Sequence, residues 1–323
     1  MFQRLKAIHH PERYHGFGRK KKFFEGWYYK IIDPTEEHAF AIIPGIAMDK
    51  EGNQQAFIQT LDGKNQTAHY EKFDAADFDI QPNTFDLKLA GNYFTQNHVK
   101  LNLPHMKGEL ILKNQIQWPS SFFSPGIMGP FSFVPFMECY HGILSMNHDL
   151  HGALEINGKK IEFTNGKGYA EKDWGHSFPK AYVWMQTNHF SHPDISLKAS
   201  VAKIPWMGSA FTGFIAGLWW QNELIQFTTY NGTKLRKNQI NEETVSLTFE
   251  NRKYQLNIVA HRSDSSELAA PIQGFMDGRI EESMTSKVAV NLVDKKRQKT
   301  VFSDTGRNAG LEVAGEIDQI LVG

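Results

Sequence analysis

The chain of 323 residues has a single cysteine, Cys139, so it cannot form an internal disulfide, and disulfide-stapled secreted folds are excluded. No apolar run approaches the ~20 residues that a membrane-spanning helix needs, and the opening stretch MFQRLKAIHHPERYHG lacks the apolar core of a secretory signal. A cytoplasmic location is expected. An excess of charge is missing too: 35 basic residues balance 35 acidic ones, so no overall field draws the chain to nucleic acid or an anionic surface. The run Arg19-Lys20-Lys21-Lys22 is the local exception, and without interleaved aromatics it reads as a solvated turn. No nucleic-acid partner is expected. Several chemistry-bearing motifs are absent: HExxH, a Cys/His zinc spacing, a GxSxG elbow, a P-loop, and a complete GxGxxG. The 14 histidines are scattered, so neither a metal nor a cofactor is expected. Cys139 and His141 share a strand face but have no third orienting group in the local sequence, which does not favour a cysteine nucleophile. Helical patterning is scarce, confined to residues 312–321 and a short stretch near the N-terminus.

What the chain does have is aromatic residues, 13% of the total, and a long succession of strand patterns such as HAFAIIPGIAM, TFDLKLAGNYF, AYVWMQTNHF and FTGFIAGLWW. Turn dipeptides separate them, among them Asp62-Gly63, Asn157-Gly158, Asn165-Gly166 and Asn231-Gly232. The fold class predicted is all-β, as two tandem antiparallel barrels or sandwiches. Residues 118–137, WPSSFFSPGIMGPFSFVPFM, contain four prolines and cannot form a central strand. They read either as a connector buried between domains or as a flap over a pocket. A loose internal repeat pairs Glu25-Gly26-Trp27 with Glu171-Lys172-Asp173-Trp174, and IPG followed by FIQTLDG with IAG followed by LIQFTTYNG. On this reading the domains span residues 1–125 and 126–323.

Two stretches carry candidate chemistry. FFEGWYYKIID, residues 23–33, places Glu25 and Lys30 among Phe23, Phe24, Trp27, Tyr28 and Tyr29. A buried strand avoids ionisable groups unless they are paired, so this run either lines an apolar cavity with an acid inside or is an edge strand. GYAEKDWGHSFPKAYVWMQTNHF, residues 168–190, gathers Glu171, Asp173 and His176 around Trp174, and its following strand puts Tyr182, Trp184, Gln186 and Asn188 on one face, a suitable lining for a barrel. The alternative for both is structural: each Glu-Trp motif braces an inter-domain contact, with its acid paired to backbone or to Lys30 and Lys172.

HHPERYHGFGRKKKFFEGWYYK, GYAEKDWGHSFP and the spaced Trp184, Gln186, Asn188 and Phe190 together resemble the tocopherol cyclase family, related to carotenoid hydratases of lipocalin-like fold. The resemblance runs from about His10 to DGRIEESMTSKVAVNL. Two departures bear on the substrate more than on the fold: Asp173 where plant members often carry Asn, and no plastid transit peptide ahead of the N-terminus. The resemblance implies two lipocalin-like β-domains and an intramolecular lyase or isomerase needing no cofactor. In such a reaction an acid protonates an isoprenoid double bond and a phenol oxygen of the same molecule closes the ring on the cation. It implies an apolar isoprenoid or quinol ligand, collected at a membrane surface where necessary. The candidate acids are Asp173 and Glu171, placed ahead of Glu25, with His176 as a relay. Trp27, Tyr29, Trp174, Tyr182, Trp184, Gln186 and Asn188 are the expected ligand contacts. Two other functions stay open: a lipocalin-like carrier that binds without turnover, and an isoprenoid hydratase.

Overall fold

A computed structural model describes residues 7–322. Twelve strands form the first sheet: β1 Phe23–Ile32, β2 Ala39–Met48, β3 Gln54–Asp62, β4 Thr67–Asp74, β5 Phe78–Ile80, β6 Asp86–Leu89, β7 Asn92–Thr95, β8 His98–Asn102, β9 Met106–Lys113, β10 Cys139–Ile156, β11 Lys159–Glu162 and β12 Lys167–Gly175. The second sheet has ten: β13 Ala181–Thr187, β14 Ser196–Trp206, β15 Ser209–Trp220, β16 Glu223–Thr228, β17 Lys234–Ile240, β18 Thr244–Glu250, β19 Tyr254–His261, β20 Ser266–Ile272, β21 Phe275–Asp294 and β22 Lys299–Gly315. No α-helical element occurs among the described residues, and only short 3-10 turns interrupt the strands. The expected C-terminal helix is absent: Glu312 lies in β22 and a single turn, Ile317–Gln319, follows. The N-terminal candidate falls partly on residues 1–6, outside the described residues; Ala7 is helical and turns follow from Ile8.

The sheets share one connectivity. In the first the order is β4-β3-β2-β1-β12-β10-β9-β8-β7-β6-β5, and in the second β16-β15-β14-β13-β22-β21-β19-β18-β17. Each time the first strand pairs with the last, a meander runs outward on one side, and the intervening strands continue on the other. The chain is therefore duplicated in topology, but not along the sequence matches that suggested it. β1 corresponds to β13, whereas the two Glu-Trp motifs lie on β1 and β12, antiparallel neighbours with Glu25 opposite Trp174. The compact units also divide elsewhere than at 125/126: Met1–Phe178 with Leu268–Arg279 form one, and Pro179–Glu267 with Ile280–Gly323 the other. β10 and β12 lie beyond residue 126, yet they pair with each other and with β9 and β1, which closes the first unit only after Phe178.

Alternation decides which face becomes core. On β1 the odd residues Phe23, Trp27, Tyr29 and Ile31 enter the apolar core of the first unit. Trp27 stacks at 5.0 Å on Phe85, just ahead of β6, and Tyr29 at 6.1 Å on Phe94 of β7, contacts that join β1 to strands far from it in the order, so the long sheet curls around a single core. In the second unit Ala181, Val183 and Met185 of β13 take the core side. Tight turns hold the meanders: Asn157 and Gly158, at φ 51° and 78°, connect β10 to β11 as the sequence predicts. Gln221 and Asn222 do the same between β15 and β16 without glycine.

Candidate active site

The two faces of β1 and β12 carry different chemistry. On the core side Glu25 forms an ion pair with Lys172, both side chains fully buried. Both carboxylate oxygens also accept the His15 backbone N–H at 2.9 Å. The Lys172 ammonium donates to the Arg13 carbonyl and to His15 Nδ1 at 2.9 Å, and lies 4.7 Å from the Trp27 ring and 4.8 Å from the Trp174 ring. Burial holds Lys172 below the usual lysine range, opposed by the charge of Glu25. Burial, then Lys172, lowers His15, which stays neutral and donates from Nε2 to the Ala7 carbonyl at 3.2 Å. The Trp27 indole N–H reaches the Glu12 carbonyl at 3.0 Å, and Trp174 is stacked between His15 at 4.0 Å and Tyr140 at 5.6 Å. Glu25 thus fastens residues 7–15 against the core, which answers why an acid sits on an aromatic strand. Its partner is Lys172; Lys30, on even parity, faces the other side of β1.

The opposite face holds the second set. Alternation along β12 puts Tyr169, Glu171 and Asp173 together, and β10 brings His141 opposite Asp173. His141 Nδ1 lies 2.9 Å from Asp173 Oδ1 and its Nε2 lies 3.4 Å from Glu171 Oε2. Tyr169 donates its hydroxyl proton to Glu171. Burial and then the Glu171 charge push the Tyr169 phenol well above its ordinary value, so it remains a donor. Glu171 is only 4% exposed. Tyr28 of β1 is its cross-strand neighbour. Asp173, His141, Glu171 and Tyr169 thus form one cluster on this face, hydrogen-bonded between Asp173 and His141 and between Tyr169 and Glu171, with His141 Nε2 facing Glu171 without a hydrogen bond. The ligating atoms of His141, Glu171 and Asp173 all lie within 4.8 Å of one another, so these three could also hold a divalent cation. Cys139 Sγ is 3.8 Å from Asp173, but burial and then that carboxylate raise its pKa far above the thiolate range, which keeps it a neutral thiol.

Several expectations change. His176 lies exposed beyond the end of β12, and His141 occupies the place beside Asp173 that was expected for it. Trp27 and Tyr29 are core residues, with the Tyr29 hydroxyl satisfied by the Thr95 carbonyl at 3.0 Å; the tyrosines on the Glu171 face are Tyr28 and Tyr169. Tyr182, Trp184, Gln186 and Asn188 share a face and are all buried, but it is the face away from the core of the second unit, because Ala181, Val183 and Met185 pack inward. There Tyr182 donates to Glu312 at 2.7 Å. The sequence contained the signal for Tyr169, which has the same parity as Glu171 and Asp173. For His141 it contained half: Cys139 and His141 on one face, with the missing third group, Asp173, supplied only by strand pairing.

The tocopherol cyclase-like family model matches residues 109–315. A chloroplastic tocopherol cyclase of Zea mays is 25% identical over 191 residues, 56% of this chain and 40% of its own length. A probable chloroplastic tocopherol cyclase of Oryza sativa subsp. japonica is 29% identical over 103 residues, 31% of this chain and 22% of that one. The chain therefore spans well under half the length of these relatives. Among solved structures, CghA with Sch210972 aligns at a TM-score of 0.58 and 10% identity, covering 91% of this chain and 89% of CghA. A putative AttH from Nitrosomonas europaea aligns at 0.52 and 15%, covering 91% and 93%. These likenesses establish the two-unit lipocalin-like fold. With the family model covering most of the chain, the protein belongs to the tocopherol cyclase-like family.

Proposed function

We propose that the protein is an intramolecular cyclase acting on a prenylated quinol or a related isoprenoid phenol, with Glu171 as the acid. The observation that carries this reading is the cluster of Asp173, His141, Glu171 and Tyr169, which sets the buried Glu171 carboxyl 3.4 Å from an imidazole that is itself hydrogen-bonded to the partly exposed Asp173. Protonated Glu171 gives its proton to one carbon of a trisubstituted double bond, and the tertiary cation forms at the other. The phenol oxygen of the same molecule attacks that cation, and the phenolic proton returns to the carboxylate. No atom is gained or lost, and no oxidant enters. Tyr28 and Tyr169 flank Glu171 and supply aromatic faces for the passing cation. The low exposure of Glu171 keeps out the water that would otherwise capture the cation.

The test is incubation of the purified protein with prenylated hydroquinones under reducing conditions, with chromatographic separation of an isomer of unchanged mass. Glu171→Gln should lower turnover by at least ~10²-fold while ligand affinity and melting temperature stay near those of the wild type. Tight binding without turnover across a broad isoprenoid set would replace the enzyme reading with a carrier, and a hydrated product would make it a hydratase.

A further inference from the structure

Residues 114–137 contain no charged side chain, and the acid nearest on either side is Glu109 or Glu138. Such a stretch would normally be buried, yet Phe122 and Phe123 are 75% and 78% exposed, and Phe133 and Phe136 are 47% and 57% exposed. Ser121 and Ser124 exchange backbone hydrogen bonds at 3.0 and 3.1 Å, closing a tight turn with Phe122 and Phe123 at its tip. Turn tips ordinarily carry Gly, Asn or Asp; two phenylalanines there present apolar surface outward. His9 stacks on Phe122 at 5.9 Å and meets Phe133 edge-on at 6.1 Å, which joins the turn to the following segment as one patch.

A second, independent observation lies in the strand register. Phe24, Gly175 and Cys139 are aligned across β1, β12 and β10. The segment that ends at Glu138 therefore enters the sheet at the end where the exposed run Arg19-Lys20-Lys21-Lys22 enters β1. The Tyr140 hydroxyl donates to the Val134 carbonyl beside the start of β10, and His9 joins the neighbouring Phe133 to Phe122, so the aromatic patch reaches the end of the first unit that carries the four basic side chains, with no acid within the aromatic segment. Aromatic rings favour the headgroup level of a bilayer, and basic residues beside them favour anionic lipid.

We propose that this end of the first unit docks on the surface of an anionic lipid bilayer, with Phe122 and Phe123 entering the headgroup layer and the Arg19–Lys22 run facing the lipid phosphates. As a route for an apolar substrate this rests on the cyclase reading; the docking does not, and it is measured without substrate. The full chain is sedimented with vesicles of phosphatidylcholine alone and with vesicles that also contain phosphatidylglycerol. Binding should require phosphatidylglycerol, and it should weaken as salt is added. Phe122→Ser with Phe123→Ser should reduce the partition coefficient at least ~10-fold. Lys20→Glu with Lys21→Glu should remove about 5-fold or more per side chain. All four positions are exposed, so melting temperatures should not change, and the phenylalanine variant should turn over detergent-solubilised quinol like the wild type. A wild type that ignores both vesicles, or serine variants that bind them equally well, would overturn the proposal; equal binding to neutral vesicles would overturn the part assigned to the basic run.

Discussion

Replacing Glu25 by Gln removes one charge from a pair in which neither side chain is exposed. Lys172 would keep the Arg13 carbonyl, His15 Nδ1 and two indole faces, but its paired counter-charge would be gone, leaving only the weaker influence of Glu12 and Asp173. Breaking a buried pair from one side costs about 3–5 kcal/mol. At about 2–4 °C per kcal/mol for a unit of this size, the calorimetric transition of the first unit should fall by roughly 6–20 °C. The pH dependence has a definite sign. Lys172 already has a folded pKa below its unfolded 10.5, and loss of Glu25 lowers it further, so the folded state binds fewer protons than the unfolded chain. The deficit of Glu25→Gln should therefore shrink as pH rises toward 10.5, where both states shed the proton. Glu25→Gln combined with Lys172→Met should recover most of the loss, because a paired deletion leaves no buried charge. A Glu25→Gln protein that melts like the wild type but has lost turnover would refute this reasoning and make Glu25 the acid.

His148 gives a second pH prediction. Burial lowers it to about 3 from its ordinary 6.5, with Nδ1 at 3.1 Å from the Ser145 hydroxyl. The unfolded chain takes up that proton as pH drops below 6.5, so stability should fall by about 1.4 kcal/mol per unit until pH 3 is approached. His148→Gln should flatten that slope in melts between about pH 6.5 and about pH 4. Gly168→Ala should destabilise the first unit, because a Cβ there would lie 2.2 Å from His148 Nε2; an unchanged melting temperature would mean the ring has room to move. Cys139→Ser should keep turnover within about 3-fold of the wild type, since a thiol held neutral has no nucleophilic part to play; inactivation of the wild type by a thiol-alkylating reagent would contradict this.

The all-β class was legible because alternation and turn chemistry are local, and the meanders of HAFAIIPGIAM and FTGFIAGLWW read as the strands they form. The unit boundary was not, because β10 is claimed by β9 across the proline-rich segment, and β12 by β1 through hydrogen bonds between residues more than a hundred positions apart. Both candidate acids of AEKDW were legible as residues, as was the acid of FFEGW. What separates them is parity: Glu25 opposes Trp174 on the core face, while Glu171 and Asp173 point to the other. A strand buried on both faces gives no polar alternation to say which side is which. Trp27 and Tyr29 looked like ligand contacts for the same reason, and His141 stayed hidden until its strand was paired.

The central claim is that a proton from the protein, relayed through His141 and Glu171, opens the reaction. It is tested most directly by running the wild type on a prenylated hydroquinone in deuterium oxide and locating the label. The account predicts a ring-closed isomer with a single non-exchangeable deuterium on the carbon next to the new ether carbon, formed at a rate that Glu171→Gln abolishes. A ring-closed product without that deuterium, or one formed equally well by Glu171→Gln, would contradict it.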